Sequence, residues 1–152
     1  MYINVAYVDD ENPNLEDLTV PVRVNNCGYY RVHTGPVIET PHPEGRNDYQ
    51  LLYIAAGKGY FYFKGSKEPT VVTKGNMVLF RPKEPQVYYY YAVDKTEVYW
   101  VHFTGWKVEE YLERYELPKE KMFSLPEFHQ TILGYIIKLS ESYSCSVRIM
   151  RI

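Results

Sequence analysis

Four histidines are the first residues to test for chemistry: His33, His42, His102 and His129. Metal ions are held by converging imidazole, carboxylate or thiolate groups. No two of these histidines lie within two residues of each other, and the local patterns put them on different elements. The plain readings are a polar strand face for His33, a loop for His42, a packed strand end for His102 and a helix surface for His129. No metal and no cofactor is expected. Cys27 and Cys145 are too few and too far apart for a disulfide framework or a metal knuckle, so each reads as a reduced thiol packed as a small hydrophobe. No Gly-x-Ser-x-Gly elbow is present, and Gly57-Lys58-Gly59 is too short for a phosphate-binding loop and leads into a strand. Glu109 and Glu110 lie on a helix face where solvation is the default. No catalytic residue is assigned, and the chain is not expected to be an enzyme.

What remains is a binding surface. The chain carries 17 tyrosines against 6 phenylalanines and 2 tryptophans. Tyr88-Tyr89-Tyr90-Tyr91 fall in an expected strand, so Tyr88 and Tyr90 point one way and Tyr89 and Tyr91 the other. Nearby strands repeat the theme with Tyr49, Tyr53, Tyr60, Tyr62, Tyr99 and Trp100. Aromatic rings stack on the apolar faces of sugar rings, while hydroxyls, Arg46 and Gln86 can bond polar substituents. Small-molecule pockets are built this way, mostly apolar with a few placed polar groups. The candidate ligand-binding residues are Arg46, Tyr53, Gln86, Tyr88 and Trp100. The competing reading, that the rings simply fill or cover a barrel, holds for any single tyrosine.

These side chains need a scaffold, and the length bounds it. At 152 residues one core is expected, burying roughly 70% of the surface of the unfolded chain. No stretch is long and apolar enough to span a membrane. The start, Met1-Tyr2-Ile3-Asn4-Val5, lacks a basic region and an apolar signal core, so a cytoplasmic location is expected. A net charge of −2 offers no basic face for nucleic acid.

The first segment, residues 1–19, is polar and acidic and reads as an arm, with a possible early strand at Tyr2–Val8. From Val20 to Phe103 short strands alternate with turns. Val20–Val24 is β-branched, and Asn26-Cys27-Gly28 reads as a turn into Tyr29–His33. Thr40 to Asn47 is loop chemistry. Tyr49–Ala55, Gly57-Lys58-Gly59 and Tyr60–Phe63 give the clearest hairpin pattern. Turns about every ten residues argue for a sandwich or barrel over 20–104. The period then changes. Val108, Tyr111, Leu112 and Tyr115 have helical spacing, and Pro118 ends that helix. Ser124-Leu125-Pro126-Glu127 reads as a capping box opening a second helix. Its stripe is Phe128, Ile132, Ile136 and Leu139.

From Cys27 to Gly105 the sequence resembles the N-terminal effector-binding domain of AraC-type transcription regulators. The resemblance rests on Cys27-Gly28-Tyr29-Tyr30-Arg31, then Gly45-Arg46-Asn47-Asp48-Tyr49-Gln50-Leu51-Leu52-Tyr53-Ile54 with Gly57-Lys58-Gly59. It continues in Lys74-Gly75-Asn76-Met77-Val78-Leu79-Phe80-Arg81-Pro82 with Pro85-Gln86-Val87-Tyr88, and ends in Tyr99-Trp100-Val101-His102-Phe103-Thr104-Gly105. Each segment alone is weak, but their order and spacing are specific. The resemblance implies a mainly β, cupin-like double-stranded β-helix (a jelly-roll barrel) followed by two C-terminal α-helices. It also implies a small effector in the barrel, often a sugar, and homodimerisation through the helices of 105–143. DNA would be bound only by a separate domain.

There are departures. Metal-binding cupins usually carry a histidine where Gln86 stands and a His-x-His pair near the first hairpin, and this chain has neither. Val98 is apolar where some sugar-responsive relatives are polar or aromatic, so an identical sugar contact set is not implied. The end of the chain, Ser140 to Ile152 (with 144–152 as the tail past the helices), has the pattern of neither a linker nor a helix-turn-helix start, so a DNA-binding domain is expected to be absent from this chain. The expected function is sensing of a small molecule, with a sugar favoured, and dimerisation. The alternative is a metal-free cupin enzyme of the isomerase or epimerase type, with His33 or a tyrosine as acid or base; a convergent histidine–carboxylate pair is what the sequence lacks for it. A third reading is a dimerisation module whose barrel is filled by its own rings.

Overall fold

The computed structural model describes residues 2–7, 11–63, 65–114 and 122–124. In chain order the strands are β1 (Tyr2–Tyr7), β2 (Arg23–Val32), β3 (Ile38–His42), β4 (Tyr49–Ala56), β5 (Lys58–Tyr62), β6 (Thr70–Thr73), β7 (Asn76–Phe80), β8 (Gln86–Tyr90) and β9 (Thr96–Thr104). Helix α1 (Val108–Arg114) and a short strand β10 (Met122–Ser124) follow. All strand pairs are antiparallel. They form a larger sheet of order β1-β2-β9-β4-β7-β10 and a smaller sheet of order β3-β8-β5-β6.

The core lies between the two sheets. Period-2 alternation turns Leu52 and Ile54 of β4, and Val98 and Trp100 of β9, toward Phe61 of β5, Val72 of β6 and Tyr88 and Tyr90 of β8. A second cluster covers the outer face of the larger sheet. There Tyr53, Met77, Leu79 and Tyr99 pack against Val108 and Leu112 of α1. The helical spacing read from the sequence is the spacing of this contact, since residues four apart share one helix face.

Three local expectations are corrected. The turn at Asn26-Cys27-Gly28 is not a turn. These residues lie inside β2, which pairs with β9 from Arg23 to Val32, with a bulge between Val24 and Asn26. A long antiparallel ladder overrides local turn chemistry once the polar side chains of Asn25 and Asn26 find partners. The expected hairpin around Gly57 is a crossing between sheets: β4 pairs with β7 and β9, whereas β5 pairs with β6 and β8. Gly57 has φ +67°, and a Cβ there would lie 2.4 Å from the Asp94 carbonyl oxygen. Only glycine admits the corner. The Thr40–Asn47 loop begins later than expected, because β3 runs to His42 through Pro41. β3 is an edge strand, where a residue without an N–H is tolerated.

The early strand is β1, paired with β2 on the rim of the larger sheet. The second expected helix and the tail lie outside the described residues, so α1 is the one α-helix among the described residues, beside a 3-10 turn at Ala92–Asp94.

Candidate functional site

Strand register builds a polar row across the inner face of the larger sheet. Asn26 of β2 lies opposite His102 of β9, and His102 lies opposite Gln50 of β4. Directly opposed residues share a face. One row along, Gly28 lies opposite Trp100, and Trp100 lies opposite Leu52. Tyr30 stacks on Trp100 at 4.2 Å between ring centroids. A cavity of about 190 Å³ opens between the sheets at this end of the barrel. The larger sheet contributes Asn26, Tyr30, Gln50, Trp100 and His102 to its wall. Thr40, His42 and Tyr88 come from the smaller sheet, Arg46 from the β3–β4 loop and Pro13 from the segment after β1.

Asp48, just before β4, organises the polar side of the cavity. It is fully buried. The Arg46 guanidinium donates to both of its oxygens, Nε to Oδ1 at 2.8 Å and Nη2 to Oδ2 at 3.1 Å. Asn25 Nδ2 donates to Oδ2 at 2.9 Å, and His102 Nδ1 lies 3.3 Å from Oδ1. Burial opposes the charge on Asp48, but the hydrogen bonds from His102, Arg46 and Asn25 outweigh it and hold the carboxyl below its ordinary range. Burial pushes His102 the other way, below the ordinary histidine value, with Arg46 adding to that effect while Asp48 opposes it. Asp48 is thus a carboxylate and His102 a neutral imidazole near pH 7. The network continues through Gln50, whose Nε2 lies 3.2 Å from His102 Nε2 and donates to the Tyr88 hydroxyl at 3.1 Å. The Thr40 hydroxyl is a further partner of Tyr88.

The mouth is crossed by the segment after β1. The Pro13 carbonyl accepts from Arg46 Nη2 at 2.5 Å and from Asn26 Nδ2 at 3.1 Å. The Leu15 carbonyl accepts from Asn25 Nδ2 at 2.8 Å, and Asn14 Oδ1 accepts from the Asn47 backbone N–H at 2.7 Å. Arg46 therefore holds both the buried carboxylate and the strap over the cavity.

The candidate residues from the sequence divide. Arg46, Tyr88 and Trp100 line the cavity. Tyr53 does not: it projects from the opposite face of β4 and packs under α1. Its parity is that of Leu51, one residue out of step with Gln50 and Leu52. Gln86 lies on the inner face opposite His42 and is fully buried, but it is not part of the cavity wall. Gln50, His102, His42 and Asn26 also line the cavity but are not among the ligand-binding candidates of the sequence, where His42 reads as a loop residue and His102 as a packed strand end. Among the described residues no three His, Cys, Asp or Glu side chains converge in a way that could hold a metal ion. The Cys27 thiol is buried, which raises its pKa to about 11 and leaves it protonated. No helix of the described residues is long and apolar enough to cross a membrane.

Two antiparallel sheets enclosing a polar-walled internal cavity are the architecture of a small-molecule-binding domain. Residues 26–148 match the family of AraC-like ligand binding domains, and the chain belongs to that family. Two solved structures of ToxT from Vibrio cholerae are similar in fold. The apo K231A form has 14% identity and a TM-score of 0.54, covering 84% of this chain and 53% of that one. The wild-type protein bound to an unsaturated fatty acid has 14% identity and a TM-score of 0.53, covering 86% and 51%. An RmlC-like cupin from Methanocaldococcus jannaschii, with 19% identity, covers 58% of this chain and 72% of that one, and its TM-score of 0.39 is too low to bear on the fold. The chain spans about half the length of the ToxT structures. Comparison with curated proteins finds no match.

Proposed function

We propose that this chain is the effector-sensing and dimerisation part of an AraC-type transcription regulator, that the effector is a compact polar molecule of sugar type, and that DNA is bound by a domain outside this chain. One observation carries the choice of a sugar over a long acyl chain or an acid. The polar wall has no surplus charge, because Arg46 is paired with Asp48 and His102 is neutral. The cavity, about 190 Å³, lies below the usual range for drug-sized ligands, roughly 300–1,000 Å³. Hydroxyl groups suit such a wall, and the Tyr30–Trp100 pair offers an aromatic face. An effector beneath Pro13 would bias the strap between bound and released states, and that shift of population is what the dimer interface or a DNA-binding domain would read.

The test is thermal unfolding of the chain with a panel of mono- and disaccharides. A ligand at 100 times its Kd stabilises by about 2.7 kcal/mol. Trp100→Ala or Tyr30→Ala should abolish that gain, and Tyr53→Phe should leave it intact. No gain with any sugar, amino acid or small acid would remove the sensing role. A dimer in sedimentation supports the second half of the reading, and a monomer at micromolar concentration overturns it.

A metal-free enzyme acting on a carbohydrate is the second reading. It gains the His102–Asp48 pair at 3.3 Å, the convergent histidine and carboxylate that the sequence did not reveal. Two contacts weaken it: Arg46 neutralises Asp48, and Gln50 occupies the second ring nitrogen of His102. Turnover of a nucleotide sugar or sugar phosphate would restore it.

A further inference from the structure

Among the described residues, Gln50 is the cavity residue with a buried side-chain atom lacking a partner: its amide nitrogen is committed and its carbonyl is not. An amide nitrogen donates and does not accept. Its Nε2 faces both the Tyr88 hydroxyl and His102 Nε2, so both of its protons are in use. His102 Nε2 must then present a lone pair, and its ring proton must sit on Nδ1, where it donates to the Asp48 carboxylate. The arrangement requires a neutral His102 in the Nδ1–H form. Gln50 Oε1 is left buried, with no partner among the described residues, on a side chain that lines the cavity. A buried carbonyl without a donor is costly, and a ligand that supplies the donor removes that cost.

A second arrangement is also self-consistent. If the amide turns over, Oε1 accepts from the Tyr88 hydroxyl and from a proton on His102 Nε2. Asp48 still takes the Nδ1 proton, so His102 must now carry both protons. The amide N–H groups then take the place of the unpartnered carbonyl, beside an imidazolium. The charged and titratable groups facing His102 are Asp48 and Arg46 from the β3–β4 loop, His42 from β3 and Tyr88 from β8. Asp48 favours the imidazolium, while Arg46 and His42 oppose it.

We propose that Gln50 is the specificity-determining residue of the cavity: with His102 neutral its carbonyl selects a ligand that donates a hydrogen bond, and an anionic head group is admitted only when His102 takes up a proton and the amide turns over. This rests on the effector reading above and adds the ligand's hydrogen-bonding class and a proton linkage to it.

Nitrogen-15 NMR of the imidazoles tests the resting state without any ligand. His102 signals are assigned by loss of the other three sets in His33→Gln, His42→Gln and His129→Gln. The expected result at pH 7 is a neutral ring with Nδ1 protonated. Gln50→Glu replaces the amide by a pure acceptor, and it should convert His102 to imidazolium at the same pH. An Nε2–H ring or an imidazolium in the unmodified chain, or no change in Gln50→Glu, overturns the proposal and leaves the effector reading standing.

Calorimetry with D-glucose, D-galactose, D-glucuronate and D-galacturonate, in two buffers of different ionisation heat, tests the ligand side. The hexoses should bind without proton uptake. The uronates should take up one proton, and their affinity should fall about tenfold per pH unit as the pH rises. Uronate binding without uptake also overturns the proposal alone. No binding by any of the four, with the expected His102 state in place, overturns this specificity, and the wider saccharide panel then decides the effector reading by itself.

Discussion

The two faces of the larger sheet are made by the same strands yet are held in different ways. On the outer face, Tyr53 and Leu79 meet Val108 and Leu112 of α1, a contact of apolar surfaces that needs shape and little direction. On the inner face, Gln50 and His102 join Arg46, Asp48 and Tyr88 in a chain of directed hydrogen bonds beside an open cavity. Alternation sends neighbours on one strand to the two faces, so Gln50 and Leu51 serve different purposes one residue apart. The apolar face can relax around a deletion. The polar face cannot, because each partner removed leaves another buried group unsatisfied.

That contrast is sharpened most by Asp48→Ala. It removes a carboxylate and leaves Arg46, Asn25 and His102 facing an empty position. The expected loss is about 3–5 kcal/mol, as for other broken buried pairs, measured by urea unfolding. The Pro13 strap should loosen with it, read as faster amide exchange at Asn47, which donates to Asn14. A loss below 1 kcal/mol would mean that the network contributes little and that the two faces do not differ in this respect.

Leu112→Ala probes the other face. Leu112 is buried, and its truncation should cost about 2–3 kcal/mol, near the low end for such changes because a helix of two turns can settle onto the gap. Sugar-induced stabilisation should persist in full. If it vanishes, the two faces are coupled through the sheet.

The smallest expected effect is the pH dependence. His102 has a lower pKa folded than unfolded, so the unfolded chain binds more protons in the window between the two values. Stability therefore rises with pH there: the contribution is complete above about pH 6.5 and declines as the pH falls toward the folded value. Asp48 adds a separate loss at lower pH, as the solution passes through its depressed pKa. Urea midpoints from pH 8 to 5 should show the first step, and His102→Gln should flatten it. A midpoint that rises on acidification would contradict the neutral His102.

The barrel was legible because turn signals recur and strand residues alternate between them. Arg46, Tyr88 and Trp100 were legible as cavity residues from residue type and the family resemblance. Tyr53 misled for a physical reason. Leu51, Leu52, Tyr53 and Ile54 are all apolar or aromatic, so the strand shows no polar face, and alternation cannot say which parity points inward. The Gly57 corner misled because the same glycine chemistry serves a hairpin and a crossing between sheets. Gln50 and His102 each looked unremarkable in a strand, and His42 looked like a loop residue.

The sequence by itself determined the family, the two-sheet β architecture and the supply of aromatic and polar groups, because these follow from local periodicity, turn chemistry and motif order. The tertiary structure alone decided that Asn26, Gln50 and His102 form one row, that Asp48 ties Arg46 to that row, and that Pro13 lies across the mouth. Those facts depend on the register of strands far apart in the chain. Register is set by the packing of whole faces and is not written in any single strand.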